Sequence, residues 1–192
     1  MIIWGDALEL IKEIPSQSID LVFCDFPFRF KLSKVKILSE EFFRVLKDTG
    51  SLVMINNPSN FFKILPYFQK FIFRNELVLI KPYKYIPFGR KQFYFKHNLV
   101  VWLTKSKDYY FKDLGYTDVL DIHYMVKGKN LGSLPVKLVE IIILSLTKEN
   151  DFVLDVFAGL GTVCKVCKKY KRKYLGFEIN KDIFLKYKDI FK

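Results

Sequence analysis

The stretch Asp155-Val156-Phe157-Ala158-Gly159-Leu160-Gly161-Thr162 decides how this chain is read. It follows an apolar run with strand character, Phe152 to Phe157, and opens a segment with helical spacing, Gly161 to Tyr170. Glycines at a strand-to-helix turn let the backbone approach a ligand closely, and the amino end of the next helix favours a negative group. A second strand, Tyr174 to Glu178, ends in an acid 23 residues after Asp155. In a doubly wound sheet an acid there accepts hydrogen bonds from a ribose diol. A lone Gly-x-Gly would say little, but strand, glycine turn, helix, strand and acid in order point to an adenosine-containing cofactor.

Working outward, apolar strands alternate with helical patterns along the chain. Strands are expected at Met1–Trp4, Ile19–Cys24, Ser51–Ile55, Leu77–Ile80 and Asn98–Leu103, besides the two above. Helices are expected at Ala7–Ile14, Ile37–Leu46, Asn60–Phe71, Pro135–Leu146 and Asn180–Phe191. The alternation predicts an α/β domain whose mainly parallel sheet is covered by helices on both faces. Residues 1–192 read as a single domain, with 105–132 a short connection.

Composition narrows the class. At 51% hydrophobic the chain is too apolar for a solvated coil. The run Ile141–Leu144 lies between Glu140 and Lys148, far short of the roughly 20 residues a membrane span needs. Met1–Asp6 has no basic leader, so no export signal is expected, and three cysteines give no disulfide framework; a cytoplasmic protein is expected. Cys164 and Cys167 share a helix, yet His97 and His123 complete no four-ligand set, so core packing is expected of them and no metal. The formal charge of +12 suits a polyanion such as nucleic acid, although lysine-rich, alanine-poor usage also follows from an AT-rich genome. Between Lys81 and Lys112, lysines interleave with aromatics; either a phosphate-tracking, base-stacking surface or a hairpin with solvated lysines produces that pattern.

A second motif settles the choice of partner. Asp25-Phe26-Pro27-Phe28 stands at the carboxyl end of a strand, where ligands of an open α/β sheet bind. Together with Asp155–Gly161 it resembles the paired signature of the DNA amino-methyltransferases, an Asp/Asn/Ser-Pro-Pro-Tyr/Phe motif and an Asp-Pro-Phe-Ala-Gly-Ser-Gly-like loop. The reacting motif comes first, as in the permuted beta group. Gly5-Asp6-Ala7 is similar to the family's Gly-Asp turn, Lys47–Gly50 to the turn after its next helix, and Asp118–Ile122 to its Asp-Val-Trp-x-Ile stretch.

The resemblance implies a circularly permuted, Rossmann-like methyltransferase fold that uses S-adenosyl-L-methionine to methylate adenine N6 or cytosine N4 in DNA. It assigns catalysis to Asp25, Phe26, Pro27 and Phe28, and cofactor binding to Asp6, Ala7, Asp155, Phe157, Ala158, Gly159, Gly161, Thr162 and Glu178. Adenine is favoured because Asp opens the motif; a cytosine-N4 enzyme and a catalytically weak cofactor-binding subunit are the alternatives. The first strand should lie beside the strand ending in Glu178. Phe26 replaces a proline, and Val156 and Leu160 are bulkier than the usual Pro and Ser. With no target-recognition domain in view, a homodimer or a separate specificity partner is expected to help read a short DNA site.

Overall fold

The computed structural model describes residues 1–27, 30–85, 93, 95–122 and 134–187. Its strands are β1 (Ile2–Trp4), β2 (Ile19–Asp25), β3 (Leu46–Asn56), β4 (Ile72–Tyr85), β5 (Phe95–Thr104), β6 (Val119–Leu120), β7 (Phe152–Asp155) and β8 (Lys173–Glu178). Its helices are α1 (Ala7–Leu10), α2 (Leu32–Val45), α3 (Pro58–Ile64), α4 (Val136–Leu146), α5 (Thr162–Lys169) and α6 (Lys181–Tyr187).

The strands form one sheet in the order β1-β8-β7-β2-β3-β5-β4-β6. From β1 to β3 all neighbours are parallel, whereas β5 runs antiparallel to both β3 and β4. This is the expected Rossmann-like α/β sheet with an antiparallel hairpin toward one edge. The parallel strands read as continuous apolar runs because both their faces are buried. On one face α1, α2 and α3 cover Val22, Cys24, Leu52 and Met54; on the other, α4 and α5 cover Leu21, Phe23, Val53 and Val153.

The permuted closure is as the sequence suggests. β1 lies beside β8 with Ile2 level with Gly176 and Trp4 level with Glu178, and the Gly5 amide continues the ladder to the Glu178 carbonyl at 3.0 Å. α6 packs against both strands.

Several boundaries differ from the sequence expectation. Helix α2 starts at Leu32, not Ile37, and its N-cap Lys31 offers no side-chain cap bond, so the usual Ser/Thr/Asp/Asn start signal is absent. Strand β3 starts at Leu46, upstream of Gly50. A Cβ at Gly50 would stand 2.9 Å from the Lys47 carbonyl oxygen, so glycine permits this close passage. The expected helix Asn60–Phe71 is α3 followed by a 3-10 turn, Leu65–Phe68, with Pro66 at the junction. Strands β4 and β5 extend well past their apolar centres and pair antiparallel on either side of residues 86–92, which lie outside the described residues. Against these strands, Trp102 stacks on Phe111 and Arg74 lies over Tyr109, so the aromatics at 109 and 111 pack on protein. Residues 105–118 carry neither helix nor strand, while β6 adds a short edge strand the pattern did not predict. The remainder of the connection, 123–132, and His123 lie outside the described residues. No helix among the described residues is long and apolar enough to cross a membrane.

Candidate active site

The carboxyl edge of the sheet gathers three carboxyl groups by register alone. Asp155 is level with Phe23 of β2 on one side and Gly176 of β8 on the other. Asp25 and Glu178 each stand two residues beyond those neighbours. They therefore project from the same face as Asp155, one step further out.

Asp155 is only 4% exposed. Burial pushes its carboxyl up to about 8; the Phe157 backbone N–H opposes this, while the charges of Asp25 and Glu178 add to it. A buried carboxyl that resists ionisation in this way suits a positively charged ligand, which would favour its charged form.

The glycine turn wraps over this cluster. Ala158 N–H donates to the Phe177 carbonyl at 2.8 Å, and Gly161 N–H donates to the Ala158 carbonyl at 2.7 Å. Gly159 and Gly161 have φ of +50° and +70°, the left-handed region that glycine enters without strain. A Cβ on Gly159 would meet nothing nearer than the Phe157 carbonyl oxygen at 4.0 Å, so the turn faces open space. Thr162 begins α5, and Leu160 is partly exposed.

Glu178 holds the turn from the next strand. Its Oε2 accepts from Gly159 N–H at 2.8 Å and its Oε1 from Asn180 N–H at 2.6 Å. Each oxygen keeps a further lone pair for a hydroxyl. Asp6, at the end of β1, caps α1 by accepting from Leu8 N–H at 2.9 Å and lies 3.6 Å from the Lys34 ammonium; Ala7 is buried beside it.

Gly176 was not singled out in the sequence. A Cβ there would stand 2.9 Å from Ala158 Cβ and 3.0 Å from Cys164 Sγ, so its lack of a side chain lets the turn and α5 close onto β8. Cys164 and Cys167 are buried packing residues. Burial raises both thiols, Cys167 to about 12, which opposes the thiolate form that metal ligation requires.

On the other side of Asp155, Asp25 ends β2 level with Ile55 and is half-buried. Phe26 is 5% exposed, and its ring meets Phe30 at 5.6 Å and Phe157 at 5.9 Å between centroids. Phe30 and Phe157 close the triangle at 5.2 Å, edge to face. The ring that replaces the family's proline thus ties the reacting loop to the glycine turn, and Phe157 serves partly as its packing partner. Pro27 is exposed, and its carbonyl accepts from Phe30 N–H at 3.0 Å. Phe28 lies outside the described residues. Except for Phe28, the expected site residues all belong to the carboxyl ends of β1, β8, β7 and β2, the turns that follow them, or the first residues of α1 and α5.

Asn56, Asn60 and Lys63 were missed. They line a cleft of about 360 Å³ together with Phe26, Pro27 and Phe30. The missed signal was Asn56 itself, a polar residue closing the apolar run Leu52–Ile55 at the carboxyl end of a parallel strand, the place that singled out Asp25.

The chain is 27% identical to the type II methyltransferase M.BglII of Bacillus subtilis over 93% of its own length, and 28% identical to M.HinfI of Haemophilus influenzae over 92%. It spans 65% and 64% of the lengths of those relatives. The structure of the cytosine-N4-specific PvuII DNA methyltransferase superposes with a TM-score of 0.83 at 22% identity, covering 93% of this chain and 81% of that one. The M1.HpyAVI–SAM complex superposes with a TM-score of 0.77 at 22% identity, covering 99% and 98%. These two likenesses establish the fold. The N6/N4 DNA methylase family matches residues 32–189, which include the glycine turn, Glu178 and the Asn56–Lys63 segment, and the chain belongs to that family.

Proposed function

We propose that this chain is an S-adenosylmethionine-dependent DNA methyltransferase acting on the exocyclic N6 of adenine after the base has left the duplex. The observation that carries this reading is the register of the carboxyl edge, which sets Asp25 and Glu178 on either side of Asp155 beneath an open glycine turn. Family membership and the charge of +12 support DNA as the partner.

The residues present fit the cofactor. Glu178 would accept from the ribose hydroxyls while it holds Gly159 and Asn180, and Asp6 with Ala7 would hold the adenine end. Asp155, Phe157, Ala158, Gly159, Gly161 and Thr162 would frame the remainder. Bound there, S-adenosylmethionine supplies an electrophilic methyl group on a sulfonium centre.

The reacting loop addresses the amine. The lone pair of an adenine amino group is delocalised into the ring, so the nitrogen is a poor nucleophile. Asp25 accepts one amino hydrogen and the Phe26 carbonyl the other, which pyramidalises the nitrogen and frees its lone pair. As the nitrogen gains positive charge, the Asp25 carboxylate stabilises it; catalysis is mainly positioning and electrostatics. No strong base is required, since the alkylated nitrogen is acidic and sheds its proton. Pro27 shapes the loop, and Phe28 is assigned to stacking on the extruded base. Asp rather than Ser at the head of the motif favours adenine over cytosine. The limited spare surface argues for a short DNA site, read with the help of a second copy or a specificity partner.

Transfer of labelled methyl from S-adenosylmethionine to unmethylated plasmid DNA tests the reading. Wild-type protein should label the DNA. Failure to do so while the cofactor binds would overturn it.

A further inference from the structure

The amino edge of the sheet, opposite the candidate active site, holds a second cleft. Its volume is about 410 Å³, and Lys112, Lys148, Lys169, Lys171 and Arg172 line it against a single carboxylate, Glu149. These cations come from three separate stretches of chain: the connection after β5, the turn between α4 and β7, and the end of α5 with the turn into β8. The six residues of β8, rising about 3.3 Å each, separate the cleft from Glu178.

Two of the cations are already used by the protein. Arg172 donates to the Thr147 and Tyr170 carbonyl oxygens, each at 2.6 Å, and so covers the ends of α4 and α5, whose dipoles would otherwise repel an anion. Lys169 pairs with Glu140 at 2.7 Å. Lys112, Lys148 and Lys171 are exposed, and none of them pairs with a carboxylate among the described residues. Lys171 has φ of +59° just past the end of α5, so a lysine stands where the backbone favours glycine. A lysine-rich composition scatters cations over a surface, where they repel one another. Here three unpaired ones converge on one concavity, which focuses their field.

The walls offer charge rather than a stacking platform. The Lys148 ammonium lies 4.7 Å from the centre of the Tyr110 ring, and that of Lys169 lies 4.9 Å from the centre of Tyr170. Lys168 and Lys173 continue the positive charge along the same edge. A strip of cations whose aromatic walls already carry ammonium groups matches a linear phosphodiester backbone better than a single nucleotide, whose base needs a ring to stack on.

We propose that this cleft holds the phosphate backbone of a second DNA segment, apart from the duplex addressed at the carboxyl edge. The inference takes DNA as the partner from the reading above. Contacts of this kind carry no sequence information; they hold the protein on DNA between its sites.

The test compares Lys112→Gln/Lys148→Gln/Lys171→Gln with a charge-matched control, Lys12→Gln/Lys36→Gln/Lys70→Gln, on the face covered by α1, α2 and α3. All six side chains are exposed, so both variants should keep the fold. Binding to a duplex of about 40 base pairs, followed by fluorescence anisotropy across salt, should give the cleft variant a log–log slope smaller by about 2–3, as loss of three phosphate contacts predicts. The control should keep the wild-type slope. On plasmid DNA the cleft variant should show a raised KM with kcat unchanged. An unchanged slope in the cleft variant, or an equal fall in the control, would overturn the proposal. Binding of inorganic tripolyphosphate that the cleft variant loses, with the slope unchanged, would mark a small-anion site instead. A loss of kcat would place the cleft on the reacting duplex and overturn the second segment. The anisotropy measurement needs no methyl transfer, so wild-type protein that binds cofactor but transfers no methyl group would overturn the methyltransferase reading and leave the slope result standing.

Discussion

Glu178 and Asp25 occupy matching places, each two residues beyond the strand position level with Asp155, yet they are set in different surroundings. Glu178 is embedded in backbone: both oxygens accept main-chain N–H groups, and the turn it holds is bonded in turn to Phe177. Asp25 ends its strand half-buried, and the loop after it is anchored by the ring of Phe26 against Phe30 and Phe157. The first arrangement builds a frame that exists before any ligand arrives. The second sets a carboxyl group at the rim, where the proposed substrate would enter and leave. The comparison predicts that Glu178 couples ligand binding to stability, whereas Asp25 couples to chemistry alone.

The largest expected effect tests the reacting side. Asp25→Ala should lower the methyl-transfer rate by about 10²–10³-fold, the scale of losing one preorganised charge-stabilising group, with cofactor affinity nearly unchanged in titration calorimetry. Wild-type turnover would remove Asp25 from the chemistry. Glu178→Ala should weaken S-adenosylmethionine by about 10–100-fold through lost charge-assisted hydrogen bonds. It should also lower the unfolding midpoint, since Gly159 and Asn180 lose their acceptor. Weaker binding with an unchanged midpoint would show that the frame does not depend on Glu178.

Smaller effects refine the account of the frame. Gly176→Ala places a methyl group 2.9 Å from Ala158 Cβ and should cost about 1–3 kcal/mol in chemical denaturation, as overpacking does. Asp155 gives a pH signature. Its folded pKa of about 8 lies above the ordinary 3.8, so the folded state holds a proton that the unfolded state releases between those values. Its contribution is therefore most favourable below pH 3.8 and is lost as pH rises toward 8, with a slope of up to about 1.4 kcal/mol per pH unit. Asp155→Asn should flatten the ligand-free stability profile between pH 5 and 8, as followed by denaturation at each pH. The smallest effect concerns Lys47, 42% exposed, which donates to both oxygens of Asp20 at 2.7 and 2.8 Å. Lys47→Ala should cost about 1 kcal/mol, because Lys47 itself is well solvated and Asp20, though only 16% exposed, keeps the Phe152 N–H as a partner.

What the sequence reveals follows the same division. The strand–turn–strand around Asp155, the pairing of β1 with the strand of Glu178, and the strand-end position of Asp25 were all legible. Parallel strands buried on both faces are unbroken apolar runs, and their carboxyl ends are marked by the first polar residue. The far side was harder to read. Strands β4 and β5 carry polar residues such as Arg74, Asn75 and Asn98 along their length, so only their apolar centres stood out. Helix α2 lacked a capping signal, and Gly50 looked like a boundary when it is a point of close backbone passage. The Asn56–Asn60 pair depends on one amide meeting another, a side-chain arrangement that no periodicity encodes.

The most direct measurement is mass spectrometry of nucleosides from unmethylated DNA incubated with the protein and methyl-labelled S-adenosylmethionine. The account predicts labelled N6-methyladenine from wild-type protein and none from Asp25→Ala. Labelled N4-methylcytosine would contradict the adenine assignment. Unlabelled DNA, from a protein that binds the cofactor, would contradict the account itself.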